Sequence, residues 1–312
     1  MMAQAMHEAR FTPQTRLLVI APHPDDETIA TGILMQRVRA AGGRVDILLL
    51  TDGDNNPWPQ RLLERRLRIG AADRARWAGR RRGEISRALH HLGVPRECLH
   101  ALGWPDLGLT PALLQPDSNL VQRVAALVAD LRPSLLVMPS LADRHPDHGS
   151  AHVLTRLALA VSKAAPVQWT YLVHAPRLPG VSIEIDGSSV ERSSKQSALA
   201  AYTSQLALSG GRLRRMAANM ESFLPIAADA SAGTRLPWRP PRWLGPWLRL
   251  SVVDVHGAAT WPWSRAPLQR DTAGAMHLLD SNHTAVPLRF ARLELPVPSP
   301  WIFDHWGWCK LT

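Results

Sequence analysis

The composition of this 312-residue chain is that of a globular protein rather than a disordered or membrane-spanning one. Hydrophobic residues make up 46% of the sequence and charged residues 20%, enough to bury a full core. No stretch supplies the roughly 18 consecutive apolar residues of a membrane span, and the N-terminus lacks the apolar core of a signal peptide. We therefore expect a cytoplasmic protein. Cys98 and Cys309 lie far apart and form no metal-binding pattern, so we expect free thiols.

The net charge of +10 comes almost entirely from arginine, because lysine occurs only at Lys163, Lys195 and Lys310. Arginine binds phosphate and carboxylate groups in a bidentate manner. A basic surface would therefore suit a nucleotide sugar, a lipid phosphate or a nucleic acid, whereas a merely solvated arginine-rich surface explains the charge equally well. Charge alone leaves the partner open.

Apolar runs alternate with amphipathic stretches over the first two hundred residues. The apolar runs predict strands over residues 17–21, 45–51 and 135–139. The amphipathic stretches predict helices over residues 28–41, 60–92 with a break near Gly79, 118–131 and 150–164. This alternation indicates an α/β fold, a Rossmann-like and mostly parallel sheet with helices on both faces.

The composition of the sequence changes beyond about residue 210. A stretch rich in proline and tryptophan, LPWRPPRWLGPWLRL, precedes short β-like runs at residues 250–255 and 288–295. We predict a main domain over residues 1–225 and a β-rich C-terminal extension over residues 226–312. The tryptophans of the extension either pack against the main domain or form a sugar-stacking or membrane-facing surface.

Polar residues follow each of the three predicted strands. The sequences are HPDDE after the first, TDGDN after the second and SLADRHPDH after the third. Ligands of open α/β sheets bind outside the carboxyl ends of the strands, so we expect these three segments to converge on one crevice.

Two of these segments are rich in histidine and aspartate. The first contains His23, Asp25, Asp26 and Glu27. One of its acids could simply occupy the first turn of a helix, where negative charge is favoured, but this leaves the histidine and the other acids unexplained. The second segment runs from Asp143 to His148; a surface loop with incidental histidines is its ordinary explanation.

A metal site explains both segments together. Two histidines and one carboxylate leave coordination positions open for water and substrate, as in catalytic zinc sites, and ferrous iron fits the same donors. A metal at such a site activates water and polarises a carbonyl oxygen, while a nearby carboxylate that is not a ligand serves as general base. We predict no organic cofactor.

The pairing of PHPDDE with a later HPDH resembles the LmbE-like or PIG-L family of zinc-dependent de-N-acetylases. The resemblance extends over roughly residues 15–225 through further matches, which are RRGE at 81–84 with Ala88 and LG at 92–93, LGWPD at 102–106, and KQSAL at 195–199 with Tyr202, Ser204 and Gln205. It therefore covers the main domain and leaves the role of the C-terminal extension unknown.

Carried over residue by residue, the resemblance implies three metal ligands, which are His23, Asp26 and His148. It makes Asp25 the general base and His145 the group that stabilises the oxyanion and helps the amine to leave, with Asp147 orienting His145. Glu27 is expected to support the site or the helix end rather than to act in catalysis. Weaker candidates for the crevice wall are Asp52, Asp54 and Asp143.

Four further residues are candidates for substrate contact, namely Glu84, Trp104, Asp106 and Tyr202. Three of them have an ordinary alternative. Glu84 would lie on a solvated helix face with local ion pairs, Trp104 would pack in the core, and Tyr202 would help to close a helix against the sheet. The arginines between residues 61 and 87 would alternatively bind an anionic part of the substrate.

These observations predict hydrolysis of an N-acetyl group from an N-acetylglucosamine-type conjugate, either a small molecule or lipid-linked. One alternative is a metal hydrolase of another amide or of an ester. A second is an arginine-rich protein that binds anionic surfaces or nucleic acid without catalysis. A ferrous oxygenase would share the ligands, but an acid beside them suits water activation better. For the preferred function we expect no nucleic acid partner and at most peripheral contact with a membrane.

Overall fold

The computed structural model describes residues 11–176, 182–226, 234–279, 288–296 and 302–311. The strands are β1 Arg16–Ala21, β2 Arg44–Thr51, β3 Leu99–Trp104, β4 Leu135–Pro139, β5 Val167–Tyr171, β6 Ile183–Ile185, β7 Glu221–Pro225, β8 Arg235–Leu236, β9 Arg249–Asp254, β10 Gly257–Pro262, β11 Leu268–Arg270, β12 Met276–Leu278, β13 Phe290–Glu294 and β14 Gly307–Lys310. The α-helices are α1 Asp26–Ala40, α2 Pro57–Glu64, α3 Ala71–His91, α4 Leu109–Leu113, α5 Leu120–Leu131, α6 Pro146–Ser162, α7 Ser189–Ala200 and α8 Thr203–Ala218. No helix among the described residues is long and apolar enough to cross a membrane.

The chain divides into two compact units. Of the described residues, the first unit contains 11–108, 131–140, 165–176 and 182–226, and the second contains 109–130, 141–164, 234–279, 288–296 and 302–311. The second unit thus combines α6 with the C-terminal segment. The boundary that the sequence predicts between residues 225 and 226 stays a prediction.

The first unit is built on a seven-stranded sheet in the order β3-β2-β1-β4-β5-β7-β6. The first five strands in this order are parallel, and β7 runs antiparallel to both of its neighbours. The predicted mostly parallel sheet is confirmed. Strand order reverses between β1 and β4, so the crevice at the carboxyl ends of these two strands is where such folds bind ligands.

Both faces of the central strands β1, β2 and β4 are buried. Leu17 and Val19 of β1 belong to a core with Ile33 and Leu34 of α1, while Ile20, on the opposite face of β1, is equally buried. Strands buried on both faces carry continuous apolar runs. This explains why β1, β2 and β4 were recognisable in the sequence without alternation.

The predicted break of the long helix near Gly79 is wrong, because Gly79 lies within the continuous helix α3. The helix breaks instead between α2 and α3. Arg65 ends α2 in a left-handed conformation, with φ at 52°, and the Asp73 carboxylate accepts the Gly70 N–H at 3.0 Å to start α3. A single helical glycine costs only about 1 kcal/mol, too little to interrupt a helix that packs well.

Helix α6 begins four residues earlier than predicted. His145 is its N-cap residue and Pro146 occupies the first helical position, where the missing N–H of proline costs nothing. His148 therefore lies in the first turn of α6 and not in a loop.

The second unit contains two antiparallel sheets, in the orders β10-β9-β13-β14 and β11-β12-β8, which confirms the predicted β-rich C-terminal part. Leu248, Leu250, Leu293 and Leu311 form much of its core. Its tryptophans differ in their surroundings, since Trp238 and Trp308 are buried whereas Trp243 and Trp247 are exposed.

Candidate active site

The turn between β1 and α1 holds Asp25 in an unusual backbone conformation. Its φ of 118° lies in a region that L residues rarely adopt and that costs on the order of 1–3 kcal/mol. The Asp25 N–H donates to the Glu27 carboxylate at 3.1 Å, and the Asp25 side chain makes no capping bond to α1. The carboxylate of Asp25 is therefore not used to start the helix.

His23, Asp26 and Asp106 form a buried cluster within the first unit, each at most 8% exposed. His23 Nδ1 lies 3.2 Å from Asp26 Oδ2, and His23 Nε2 lies 3.1 Å from Asp106 Oδ1. Asp26 Oδ2 also accepts the backbone N–H of His23 at 3.0 Å. Asp26 and Glu27 do occupy the first turn of α1, as the helix-terminal explanation predicted, but both are buried, which ordinary helix-end acids are not.

Burial raises the pKa of Asp25 from its ordinary value of 3.8 to about 7, while the Arg81 guanidinium opposes the rise. Arg81 Nη2 lies 3.6 Å from Asp25 Oδ2. The same guanidinium donates to the carbonyl oxygens of Pro24 and Gly53, at 2.5 and 2.9 Å. Arg81 thus fixes the backbone at Pro24, next to Asp25, and at Gly53, just after β2, and it provides a countercharge for Asp25. A carboxyl group whose pKa lies near neutrality can act as a general base.

Glu27 is fully buried, and burial raises its pKa. Its carboxylate accepts hydrogen bonds from Thr28 Oγ1 and from the Tyr202 hydroxyl, in addition to the Asp25 N–H. Burial and the neighbouring Glu27 hold the pKa of Tyr202 well above 10, so this phenol stays a donor. The described contacts give Tyr202 a supporting role, and its contact with substrate stays a prediction.

The second unit carries the other histidine cluster at the start of α6. His145 Nδ1 accepts the Asp147 N–H at 3.3 Å, and the rings of His145 and His148 lie 5.2 Å apart. His148 Nδ1 lies 3.2 Å from Asp143 Oδ2. The other carboxylate oxygen of Asp143, Oδ1, accepts the backbone N–H of His145 at 3.1 Å. All four side chains are buried. Asp143 thus contacts both histidines of this segment.

The C-terminal segment packs on the same turn of α6. Trp308 Nε1 donates to Ser150 Oγ at 3.0 Å, and a Cβ on Gly149 would lie 2.9 Å from the Trp308 ring. Phe303 contacts the His145 ring edge to face, with 6.2 Å between ring centroids. Part of the extension thus shapes the surroundings of His145.

The remaining sequence candidates are placed as follows. Glu84 is fully buried, so its predicted place on a solvated face is wrong: its carboxylate accepts from Thr203 Oγ1, Ser204 N and Ser204 Oγ at the start of α8. Trp104 is buried. Asp52 pairs with Arg82 at 3.0 Å, and Asp54 accepts the Asp106 N–H at 3.4 Å.

Sequence reasoning missed the roles of Asp143, Asp106 and Arg81 as partners of His148, His23 and Asp25. These contacts depend on the fold. The only signal in the sequence is that each of the three residues stands in or beside one of the motifs named above. Among the described residues, the side chains that could contribute to a metal site are His23, Asp26, Asp106 and His174 in the first unit and His145, Asp147 and His148 in the second.

Residues 18–159 match the family model described as PIG-L, GlcNAc-PI de-N-acetylase. A similar protein is the 1D-myo-inositol 2-acetamido-2-deoxy-alpha-D-glucopyranoside deacetylase of Mycolicibacterium vanbaalenii, which is 34% identical over 174 residues, covering 50% of this chain and 58% of that protein. The chain thus spans less than two thirds of the length of this curated relative.

Solved structures share the fold. A conserved protein of Thermus thermophilus aligns with a TM-score of 0.50 at 24% identity, covering 73% of this chain and 100% of that one. A deacetylase triple mutant from the teicoplanin biosynthetic pathway aligns with a TM-score of 0.55 at 20% identity, covering 70% and 100%.

Proposed function

We propose that this chain, whose residues 18–159 match the PIG-L family model, removes an N-acetyl group from an N-acetylglucosamine-type conjugate by metal-dependent hydrolysis. The observation that carries the proposal is the buried group of His23, Asp25 and Asp26 at the carboxyl end of β1. Next to β1 in the sheet is β4, and the segment with His145 and His148 follows β4 directly. Both histidine segments therefore leave the sheet at its switch point.

The donors suit a divalent cation. Two ligands about 2.1 Å from a tetrahedral ion lie roughly 3.4 Å apart, and His23 Nδ1 and Asp26 Oδ2 are separated by 3.2 Å. We propose His23, Asp26 and His148 as the residues that would hold the ion. Asp106 and Asp143 contact the second ring nitrogen of His23 and the Nδ1 of His148, as carboxylates commonly do behind metal-binding histidines. Zinc is the preferred ion, and ferrous iron fits the same donors.

When bound, such a cation lowers the pKa of a water towards ~7 and polarises the amide carbonyl. Asp25 would then accept a proton from the attacking water, which its raised pKa permits. His145 accepts a hydrogen bond at Nδ1, so in the neutral ring the proton is on Nε2, where it would stabilise the oxyanion. We further propose that His145 Nε2 passes its proton to the leaving amine and takes up in turn the proton that Asp25 accepted from the water, with Asp147 holding the ring.

The substrate class rests on the relatives. The M. vanbaalenii relative is named for removing an acetyl group from an amino sugar linked to inositol, and a shared amide chemistry would serve this chain too. An N-acetylglucosamine linked to a small molecule is the proposed substrate.

Metal content and acetate release test the proposal together. We would reconstitute the metal-stripped protein with zinc or ferrous iron and incubate it with a panel of N-acetylglucosamine conjugates. Asp25→Asn should keep the metal and lose acetate release by at least a hundredfold, whereas His148→Ala should lose the metal itself. His152→Gln, a buried histidine on the same helix, is the matched control and should retain both. Metal binding without acetate release from any conjugate would refute the substrate class, and absence of metal binding would refute the mechanism.

A further inference from the structure

We propose that the segment from Pro57 to Gly70 is a docking surface for anionic lipid. Four of the thirteen most exposed large apolar side chains of the described residues lie in this segment, within ten positions of one another: Trp58 at 64%, Leu62 at 52%, Leu63 at 40% and Leu67 at 89% exposure. Exposed apolar side chains are normal when scattered singly, but a concentration of them marks an interaction site. We call these residues, together with Arg61, Arg65 and Arg68, the α2 surface.

The helix α2 is anchored from its other side. Pro59 and Gln60 are buried, and Gln60 Nε2 donates to the Asp73 carbonyl at 2.8 Å. Asn56 caps the helix by accepting the Trp58 N–H at 3.2 Å. Trp58 and Leu62 lie one turn apart and therefore share a face. The fold thus holds the apolar face outward instead of burying it.

Unneutralised positive charge surrounds the apolar face. Residues 57–70 contain four arginines and one acid, Glu64. Glu64 pairs with Arg76 outside the segment, and of the four arginines Arg66 pairs with Asp73 at 2.9 Å. Arg65 and Arg68 are exposed, and neither forms an ion pair with any residue that the structure describes. The Arg61 guanidinium lies 4.9 Å from the centre of the Trp58 ring, which couples charge to the aromatic side chain.

The exposed apolar side chains and arginines together favour an anionic lipid surface over a second copy of the chain or a nucleic acid. A second copy of the chain would bring the same arginines against themselves across a two-fold interface, where like charges repel. Single-stranded nucleic acid is bound by aromatic stacking, whereas three of the four apolar side chains are leucine. Leucine and tryptophan beside arginine suit the boundary between headgroups and acyl chains of an anionic bilayer.

The segment that carries the α2 surface begins two residues after Asn55, which contacts the buried cluster of His23, Asp26 and Asp106. Asn55 N donates to Asp106 Oδ2 at 3.0 Å and Asn55 Nδ2 to the Asp106 carbonyl at 3.2 Å, and Asp106 contacts His23. A docked protein would hold this cluster near the lipid. The functional value of that closeness rests on the proposed deacetylation, but the docking does not require it.

Flotation of the full chain with vesicles tests docking without any catalysis. Vesicles of phosphatidylcholine alone are compared with vesicles containing about 30% phosphatidylglycerol, at low and high salt. We expect binding only to the phosphatidylglycerol vesicles, reduced by salt. Trp58→Ala/Leu62→Ser/Leu67→Ser should weaken binding at least tenfold, and Arg65→Gln/Arg68→Gln roughly twenty-fivefold, since each arginine near an anionic surface contributes about fivefold.

Matched variants of exposed residues in the second unit serve as controls. They are Trp247→Ala/Leu279→Ser/Ile302→Ser and Arg239→Gln/Arg242→Gln, and both should bind within about twofold of the parent chain. Far-ultraviolet circular dichroism and melting curves confirm that each variant is folded. The proposal is overturned if phosphatidylglycerol vesicles are not bound, or if the controls and not the α2 variants lose binding. It is equally overturned if light scattering shows a dimer that the apolar α2 variant dissociates, or if RNA competes for the α2 surface more strongly than vesicles do.

Discussion

The Glu27 carboxylate accepts the backbone N–H of Asp25 at 3.1 Å, and so holds a residue whose φ is 118°. A strained backbone persists only where its surroundings determine it. Here Glu27 fixes the backbone of Asp25, because its buried carboxylate is itself held by hydrogen bonds from Thr28 and from the Tyr202 hydroxyl. The position of the proposed base therefore depends on an acid two residues away that need not touch substrate.

Exchange of Glu27 for glutamine should reduce deacetylation at least tenfold and destabilise the fold by roughly 1–3 kcal/mol. The reason is that an amide cannot accept all three hydrogen bonds, and its NH₂ group would face the N–H of Asp25. Tyr202→Phe removes only one donor and should lower the rate by only a few-fold. Urea unfolding and acetate release measure the two effects. Equal rate losses in both variants would contradict this role of Glu27.

Replacement of Asp25 by asparagine should stabilise the metal-free protein above neutral pH. The pKa of Asp25 rises from 3.8 to about 7 on folding because the carboxylate is buried. A raised acid pKa means that the folded state binds the proton more tightly, so the associated stability is complete below pH 3.8 and is lost as the pH rises to about 7. Asparagine has no charge to bury and avoids this loss, which amounts to roughly 1–4 kcal/mol.

Urea unfolding of the metal-free protein between pH 4 and pH 8 would measure this gain, which should shrink towards the acid end. Asp117→Asn, at an exposed aspartate, is the control and should change stability little at any pH. If Asp25→Asn is less stable than the parent chain at pH 8, burial of this carboxylate is not costly and its raised pKa has another origin.

The sequence contained enough information for the parallel sheet and for the two histidine segments. Strands buried on both faces are continuous apolar runs, and His23 and His148 stand in polar motifs directly after such runs. The break between α2 and α3 was misplaced because a left-handed arginine ends α2, and no composition rule favours arginine there.

Contacts between residues distant in the sequence could not be predicted from sequence patterns. Arg81 reaches Asp25 from α3, and Glu84 on the same helix is buried against the start of α8, yet both stand in an arginine-rich stretch that resembles a solvated face. Periodicity indicates which side of a helix is apolar, but it does not tell which charged residue has a buried partner.

The buried pair of Lys195 and Glu221 should show unequal effects of substitution. The two groups lie 2.7 Å apart and are each about 1% exposed, but Glu221 also accepts the backbone N–H groups of Ile33 and Leu34. Glu221→Leu leaves an ammonium and two amides without their acceptor and should cost at least 3–5 kcal/mol. Lys195→Met should cost less, about 2 kcal/mol, because Glu221 keeps two donors. Urea unfolding of both variants checks this order, and a larger loss for Lys195→Met would contradict it.

Two glycine-to-alanine substitutions should have opposite effects. Gly53 has a φ of 61°, and a Cβ there would lie 1.6 Å from Arg81 Nη1. Gly53→Ala must therefore displace the guanidinium that contacts Asp25, so we expect a loss of roughly 2 kcal/mol or more and reduced deacetylation. Gly79 lies in α3 with nothing within 4 Å of the position of a Cβ, and Gly79→Ala should add about 0.5–1 kcal/mol through helix propensity alone. Urea unfolding and acetate release distinguish the two. A Gly53→Ala protein with unchanged stability and rate would show that Arg81 need not occupy its observed place for Asp25 to function.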